Sequence, residues 1–290
     1  MSATRSWPAL RLDLQRPLTE DDHIRLLLDL DDTSAIGLDD DAGGVSVYFT
    51  QVADRDAALT VLDAAGWSSH ALLSARDVPD DGWAARSQAE LPAVRVGQIV
   101  VTPPWDVATA RAAVADLPEG SRPVIIEIEP STGFGTGHHQ STRLCLHALQ
   151  TIDVRGMDVL DLGTGSGVLA IAAVCRGART ALGIDPDQDA IDSASDSVAR
   201  NRATRVSLRT TGLDDATLSP APLVFANLTG VLLRREAARI QSLIAPGGRA
   251  ILSGFTEDEA PWVQQAFDGC DLESRFDEES WVAFTLWRRP

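Results

Sequence analysis

The chain has 290 residues, of which 44% are hydrophobic and 23% charged, as is typical of a globular protein with one large core and room for a smaller domain. Its formal net charge of −17 is the opposite of the basic surface that phosphate backbones attract, so no direct nucleic-acid partner is expected. No apolar run approaches the roughly 20 residues that span a bilayer, and the start lacks an apolar signal core, so we expect no membrane partner and a cytoplasmic location.

Lysine is absent, and all 25 basic residues are arginines, which excludes a Schiff-base lysine and a P-loop lysine. The excess of acidic over basic residues would attract a basic protein or an amine, although it could equally serve to keep the protein soluble. Cys145, Cys175 and Cys270 are widely spaced in apolar stretches and form no CxxC pair, which predicts buried thiols.

Residues 1–79 are predicted to form a small α/β domain. Alternating leucines over 10–14 indicate a half-buried strand, and Thr19 with Asp22 resembles a capping box that opens a helix. A hairpin, a helix over 54–65 and a last strand complete the order βαββαβ, which is typical of a ferredoxin-like fold. With 6 basic and 14 acidic residues, this domain is either a solvated accessory or a dock for a basic partner.

Residues 80–93 are predicted to form a linker helix, and residues 94–290 a second domain. Strand and helix patterns alternate through this domain, which predicts a doubly wound, mostly parallel, seven-stranded Rossmann-like sheet whose last two strands form a hairpin at one edge. The predicted elements are strand 96–101, helix 106–117, strand 124–129, helix 141–150, strand 159–162, helix 166–175, strand 181–184, helix 187–201, strand 206–210, strand 223–226, helix 231–244, strand 249–253, helix 257–267 and strands 272–276 and 281–287.

Two glycine-rich loops carry the functional prediction. A strand that breaks into glycines before a helix leaves backbone N–H groups uncovered, so a nucleotide-bearing ligand can approach the main chain. We therefore predict a cofactor site and identify the cofactor as S-adenosylmethionine. The residues assigned to the two loops are Phe134, Gly135, Thr136, Gly137 and His138 in the first, and Gly163, Gly165 and Gly167 in the second.

The spacing of the second loop favours S-adenosylmethionine over a nicotinamide dinucleotide. The dinucleotide fingerprint G-x-G-x-x-G would require glycine where the chain has Val168. Asp185 ends the next predicted strand, and its carboxylate can accept hydrogen bonds from both hydroxyls of an adenosine ribose. Dinucleotide enzymes share such an acidic residue, so the preference depends on the tight glycine spacing.

Asn227 follows the apolar residues 223–226 at the carboxyl end of a predicted strand, where ligands of open α/β sheets bind. Methyl transfer from a sulfonium to an amine is a direct displacement that needs a neutral nitrogen held in line with the methyl group. The amide carbonyl of Asn227 could accept the amine N–H and aim the lone pair. Asn227 could instead cap the helix that begins near Val231, and the spacing favours neither interpretation.

The first loop and two tryptophans offer further candidates. His138 or His139 could accept the proton that leaves the ammonium group, although a hydrogen-bonded loop histidine is the preferred interpretation, and a zinc site lacks further ligands. Thr142 could bind the cofactor carboxylate or cap the following helix. Trp83 and Trp105 are predicted to pack between the domains, or to line a substrate channel.

Taken together, three segments resemble the bacterial ribosomal protein L11 methyltransferases. They are FGTGHHQSTRLCL from Phe134, DLGTGSGVLAIAA from Asp161, and the tripeptide Ala226-Asn227-Leu228. The resemblance is strong over roughly residues 124–290, and it covers the small N-terminal domain only in outline.

The resemblance implies a class I methyltransferase that places methyl groups on lysine side chains and the terminal amine of that ribosomal protein. By position in the motifs, Thr142, Gly163, Asp185 and Asn227 match the cofactor-contacting residues of the family. The loop 134–138 matches the one that closes over the methyl donor and lines the amine site. The N-terminal domain would recognise the substrate, so we expect a basic large-subunit ribosomal protein as partner, and a monomeric enzyme.

Two departures from the family pattern bear on the substrate. The residues 130–133, Pro-Ser-Thr-Gly, replace the usual Pro-Gly-apolar-Ala before Phe134, and Ser87 and Gln88 replace a tryptophan and a basic residue of the linker. The first departure lies at the site, whereas the second puts the ribosomal substrate in doubt more than the chemistry. Relatives of the family also methylate lysines of other proteins. The alternatives are a small-molecule methyltransferase and a non-catalytic, ribosome-associated module that retains the cofactor fold.

Overall fold

The chain forms two compact units, Met1–Trp83 and Ala84–Pro290, in the computed structural model. The predicted linker helix over 80–93 lies outside the described residues except for 91–93, which are not helical. Among the residues that the structure describes, no helix is both long and apolar enough to cross a bilayer. The described residues are 6–16, 18–19, 22, 25–26, 29–30, 33, 35–41, 43–49, 51–79, 91–118, 121–130 and 139–290.

The first unit is built on a four-stranded antiparallel sheet. Its elements are β1 Ser6–Leu14, β2 Ala35–Asp41, β3 Gly44–Phe49, α1 Val52–Ala64, a 3-10 turn Trp67–Ser69 and β4 Ala71–Pro79. The strand order is β2-β3-β1-β4, and every pairing is antiparallel. This is the sheet of a ferredoxin-like fold, in agreement with the predicted βαββαβ order.

The helical segment before β2 begins at the predicted capping box. The Thr19 backbone N–H donates to Asp22 Oδ2 at 2.9 Å, and the Asp22 N–H donates to Thr19 Oγ1 at 3.2 Å. These two bonds satisfy donors that the first helical turn leaves without partners. Leu26 and Leu30 on this segment are helical and pack in the same core as β1.

The second unit begins with a three-stranded sheet. Its elements are β5 Val94–Val96, β6 Ile99–Thr102, a 3-10 turn Pro104–Asp106, α2 Val107–Val114 and β7 Val124–Glu127. Strands β5 and β6 pair antiparallel, and β7 pairs parallel with β6. The prediction of one strand over 96–101 is wrong, because Gly97 has a φ of +56° and turns the chain back between two short strands.

A seven-stranded sheet forms the larger part of this unit. Its strands are β8 Asp158–Leu162, β9 Thr180–Asp185, β10 Val206–Thr210, β11 Ala221–Asn227, β12 Ile244–Thr256, β13 Cys270–Glu278 and β14 Trp281–Arg288. The order is β10-β9-β8-β11-β12-β14-β13, in which β14 alone runs antiparallel to the other six strands. The predicted doubly wound sheet and its terminal hairpin are confirmed. The strand order reverses at β8, which makes its carboxyl end the expected ligand site.

Six helices belong to this sheet: α3 Gln140–Leu149, α4 Val168–Cys175, α5 Gln188–Arg200, α6 Gly230–Arg235, α7 Ala237–Leu243 and α8 Ala260–Ala266. The prediction of one helix over 231–244 is wrong. The backbone of Glu236, with φ −97° and ψ 9°, leaves helical geometry and separates α6 from α7.

Successive residues of the central strands face opposite sides of the sheet. Val159 of β8 and Phe225 of β11 belong to one core with α3 and α4, whereas Leu160 and Val224 belong to the other core with α6, α7 and α8. Helices thus cover both faces, which explains why these strands read as continuous apolar runs.

The cysteines only partly follow the prediction of buried thiols. Cys145 and Cys270 are buried, whereas Cys175 is exposed. The seven residues before it in α4 are buried, and Cys175 is the last residue of that helix.

Candidate functional site

The glycine-rich turn between β8 and α4, here called the donor loop (residues 163–167), lies at the carboxyl end of the central strand. Gly163, Gly165 and Gly167 have φ angles of +67°, +52° and +80°, a region that L side chains rarely adopt. A Cβ added to Gly163 would also lie 2.5 Å from Leu228 Cδ2. Glycine at these positions therefore lets the chain turn closely over the sheet edge into α4.

Asp161, the second residue before this loop, holds the loop in place through hydrogen bonds. The carboxylate is 1% exposed, and its Oδ2 accepts a hydrogen bond from Thr164 Oγ1 at 2.7 Å and from the Ala170 N–H at 3.2 Å. The side chain thus ties β8 to both the donor loop and α4. The sequence marks Asp161 only as the first letter of the motif and gives no sign of this structural role.

We expect Asp161→Asn to flatten the pH dependence of stability. Burial raises the pKa of Asp161 to about 6 from an ordinary 3.8, so the folded state retains this proton to higher pH than the unfolded state does. The free energy of unfolding of the unchanged chain should therefore fall, on the order of 2 kcal/mol, as the pH rises from about 4 to about 6. Urea denaturation of both proteins across this range measures the difference, and parallel curves would contradict the assignment.

Asp185 ends β9, next to β8, with its carboxylate directed at the donor loop. Oδ2 accepts from the Gly165 N–H and Oδ1 from the Asp187 N–H, both at 3.1 Å. The side chain is half-buried, and burial raises its pKa although these two bonds oppose the shift. Among the described residues no arginine pairs with it. Each oxygen retains a lone pair, and this is the acceptor set that the two hydroxyls of a ribose require.

The donor loop and Asp185 together fit the predicted cofactor. Three positive-φ glycines keep side chains away from the edge where an adenosine would approach, and the unneutralised carboxylate supplies acceptors beside them. Such an arrangement suits a neutral sugar, because Asp185 would repel a phosphate group attached to that sugar.

Asn227 and Thr142 meet at the carboxyl end of β11. Asn227 Nδ2 donates to Thr142 Oγ1 at 3.3 Å, and Thr142 in the first turn of α3 is only 1% exposed. No described residue donates to Asn227 Oδ1. The amide nitrogen is therefore used to orient the side chain, and the carbonyl oxygen is left as an acceptor for an external N–H group.

The capping alternatives for these two residues are wrong. Helix α6 is capped by Thr229, whose Oγ1 accepts from the Leu232 N–H at 3.4 Å. Helix α3 is capped by His139, whose Nδ1 accepts from the Ser141 N–H at 3.3 Å. His139 is thus a hydrogen-bonded helix cap. Burial and the neighbouring Arg143 lower its pKa and favour the neutral ring that accepts this bond.

Several predicted positions lie outside the described residues, and their roles stay predictions. Trp105 is described: it is exposed, and its Nε1 donates to the Leu91 carbonyl at 3.3 Å. The positions outside the described residues are Phe134, Gly135, Thr136, Gly137 and His138 of the first loop, residues 131–133 before it, and Trp83, Ser87 and Gln88 of the linker.

One contributor to the site was missed by the sequence interpretation. Gly254 in β12 has a φ of +92°, and a Cβ there would lie 2.3 Å from the Leu228 carbonyl oxygen. The Leu228 N–H in turn donates to the Ser253 carbonyl at 3.0 Å. The missing side chain lets the backbone that follows Asn227 pass directly over β12. The available signal was a glycine at the end of an apolar strand, the same pattern as in the donor loop.

A model of the family described as ribosomal protein L11 methyltransferase matches residues 20–289. A protein of that name from Deinococcus radiodurans is 33% identical over 283 residues, which cover 93% of this chain and 95% of that protein. Another, from Cupriavidus metallidurans, is 35% identical over 214 residues, which cover 73% of this chain and 62% of that protein. The match thus spans less than two thirds of the second relative's length.

A solved structure shows the same fold. The ribosomal protein L11 methylase from Lactobacillus delbrueckii subsp. bulgaricus superposes with a TM-score of 0.61 at 24% identity, covering 69% of this chain and 100% of that chain. The comparisons confirm the predicted methyltransferase class and the predicted methyl donor, S-adenosylmethionine. Because the family model spans nearly the whole sequence, the chain belongs to the ribosomal protein L11 methyltransferase family.

Proposed function

We propose that this protein transfers methyl groups from S-adenosylmethionine to amino groups of ribosomal protein L11, on lysine side chains and the terminal amine. The observation that carries the proposal is the Asn227–Thr142 contact, which leaves a fixed carbonyl oxygen beside the donor site. Such an acceptor suits a neutral amine, whose N–H it can bind while the lone pair stays available. The names of the relatives support the choice of protein.

The order of the strands supports this proposal, because it would bring the methyl donor and the amine side by side. Asp185 ends β9, the donor loop follows β8, and Asn227 ends β11, and these three strands are neighbours in the order β9-β8-β11. Adjacent strands lie about 4.8 Å apart, so Asp185 and Asn227 stand on strands separated by about 10 Å. That span accommodates a ribose at one side and an amine at the other, with the donor loop between them.

Each residue then has a separate task in the proposed reaction. S-adenosylmethionine supplies a methyl group on a positively charged sulfur, which a neutral nitrogen can attack directly. Asp185 would accept the ribose hydroxyls, and the donor loop would hold the adjoining part of the molecule against the main chain. Asn227 Oδ1 would accept the amine N–H, while Thr142 prevents the amide from rotating. No acid or base is assigned among the described residues.

The first unit is proposed to recognise the protein substrate. Residues 1–79 carry 14 acidic and 6 basic residues, a net of −8, which complements a basic ribosomal protein. We further propose that the enzyme acts as a monomer in the cytoplasm, on the protein substrate rather than on nucleic acid.

A labelling experiment tests the proposed substrate. The purified protein would be incubated with methyl-labelled S-adenosylmethionine and unmethylated ribosomal protein L11, alone and in ribosomes, followed by mass analysis of each protein. Because this chain has no lysine, any methyl-lysine must come from the substrate. We expect the mass of L11 to increase by one or more whole methyl groups. Labelling of metabolites alone would indicate a small-molecule enzyme, and donor binding without any transfer would indicate a non-catalytic module.

A further inference from the structure

The tip of the β13–β14 hairpin is bound to the start of helix α3 by two polar contacts. Arg143 donates to Glu278 Oε1 from Nε at 2.9 Å and from Nη2 at 2.5 Å. Gln140 Nε2 donates to Glu279 Oε2 at 2.7 Å. These residues are separated by 135 and 139 positions in the sequence, so only the fold brings them together.

A ring contact and an unusual backbone conformation accompany these bonds. The His139 ring packs edge-on against Trp281, with 4.5 Å between ring centroids. Glu279 has a φ of +54°, which costs a residue other than glycine about 1 kcal/mol or more. The Glu257 N–H donates to the Ser280 carbonyl at 2.9 Å and ties the tip to the end of β12. The tip therefore has a defined shape that is held on two sides.

We propose that this hairpin tip, residues 278–281, is a positioning element of the amine site and acts through α3 on Thr142 and Asn227. Arg143 directly follows Thr142 in the first turn of α3. The Arg143 side chain bonds this turn to β13, and the Thr142 side chain bonds it to β11. The Thr142–Asn227 bond of 3.3 Å is already long, and a shift of α3 by a few tenths of an ångström would break it. The inference rests on the proposed role of Asn227.

Stability alone does not account for the Arg143–Glu278 pair. The side chains are 22% and 37% exposed, and ion pairs near the surface contribute only about 0–1 kcal/mol. A matched control exists at the other end of the same hairpin. Arg249 donates to Glu273 at 2.6 and 2.7 Å, with side chains 33% and 41% exposed. Arg249 pairs with Leu223 of β11, whereas Asn227 is the last residue of that strand.

The test compares Glu278→Ala with Glu273→Ala and with the conservative Glu278→Gln, which retains an oxygen for Arg143. For Glu278→Ala we expect a transfer rate about tenfold lower at saturating donor and substrate, with the donor Kd within about twofold of the unchanged protein. Glu278→Gln should recover most of the rate, and Glu273→Ala should leave it unchanged. Hydrogen exchange at the amides of residues 142 and 143 should accelerate in Glu278→Ala only.

An unchanged transfer rate in Glu278→Ala would overturn the proposal, and so would an equal loss of rate in Glu273→Ala. The proposal would also be wrong if the lower rate of Glu278→Ala were explained by weaker donor binding or by a lower melting temperature. Failure of the unchanged protein to methylate L11 would instead contradict the proposed function. In that case hydrogen exchange still tests whether the tip holds α3, because unchanged exchange at residues 142 and 143 in Glu278→Ala would show that it does not.

Discussion

Replacing Asn227 by alanine is expected to slow methyl transfer about a hundredfold while S-adenosylmethionine binding changes little. The Asn227 side chain is held by Thr142 through its amide nitrogen, and its free oxygen is the group that would orient the attacking amine. Removing it leaves the donor loop and Asp185 in place, so the loss should fall on the chemical step. Single-turnover transfer and calorimetric titration with the donor measure the two effects separately.

Two further variants serve as controls for this experiment. Thr229→Ala removes the cap of α6 only two residues away and should lower stability by about 1 kcal/mol without a comparable loss of rate. Asp185→Ala should have the opposite profile to Asn227→Ala, with donor binding at least about tenfold weaker because hydrogen bonds to a charged acceptor are lost. Equal losses of rate and donor affinity in Asn227→Ala would refute the orienting role.

The sequence predicts the parts of the site that depend on local pattern. Alternating apolar runs and helices predict a doubly wound sheet, and that architecture by itself brings Asp185, the donor loop and Asn227 to one edge. Their distance from one another follows from the strand order β9-β8-β11, which only the structure shows. Local sequence patterns also predict the capping box at Thr19 and the terminal hairpin, and the structure contains both.

Contacts between distant segments are the part that could not be predicted. Thr142 and Asn227 are 85 positions apart, and either residue alone is as consistent with a helix cap as with a site. Only the structure shows that His139 and Thr229 already occupy the caps. The break at Glu236 was missed for a related reason: the apolar periodicity continues from α6 into α7 although the backbone does not.

Gly254→Ala is expected to be the most damaging single-methyl change at the site. The added Cβ would meet three backbone atoms of Leu228, the oxygen at 2.3 Å, the carbon at 2.8 Å and the nitrogen at 3.0 Å, none of which is the flexible end of a side chain. The residue would also adopt a φ of +92°. Left-handed strain of about 1–2 kcal/mol and overpacking of about 1–3 kcal/mol should together lower the free energy of unfolding by about 3 kcal/mol.

The functional part of this effect can be separated from the loss of stability. Gly247→Ala is the control, because Gly247 lies in the same strand with a φ of +72° but has no atom within 4 Å of the added Cβ, so it carries the backbone strain alone. Well below the melting temperature of both variants, Gly254→Ala should still transfer methyl groups more slowly, since the displaced Leu228 directly follows Asn227. If both folded variants transfer at the same rate, the close passage over β12 serves stability only and does not position the amide.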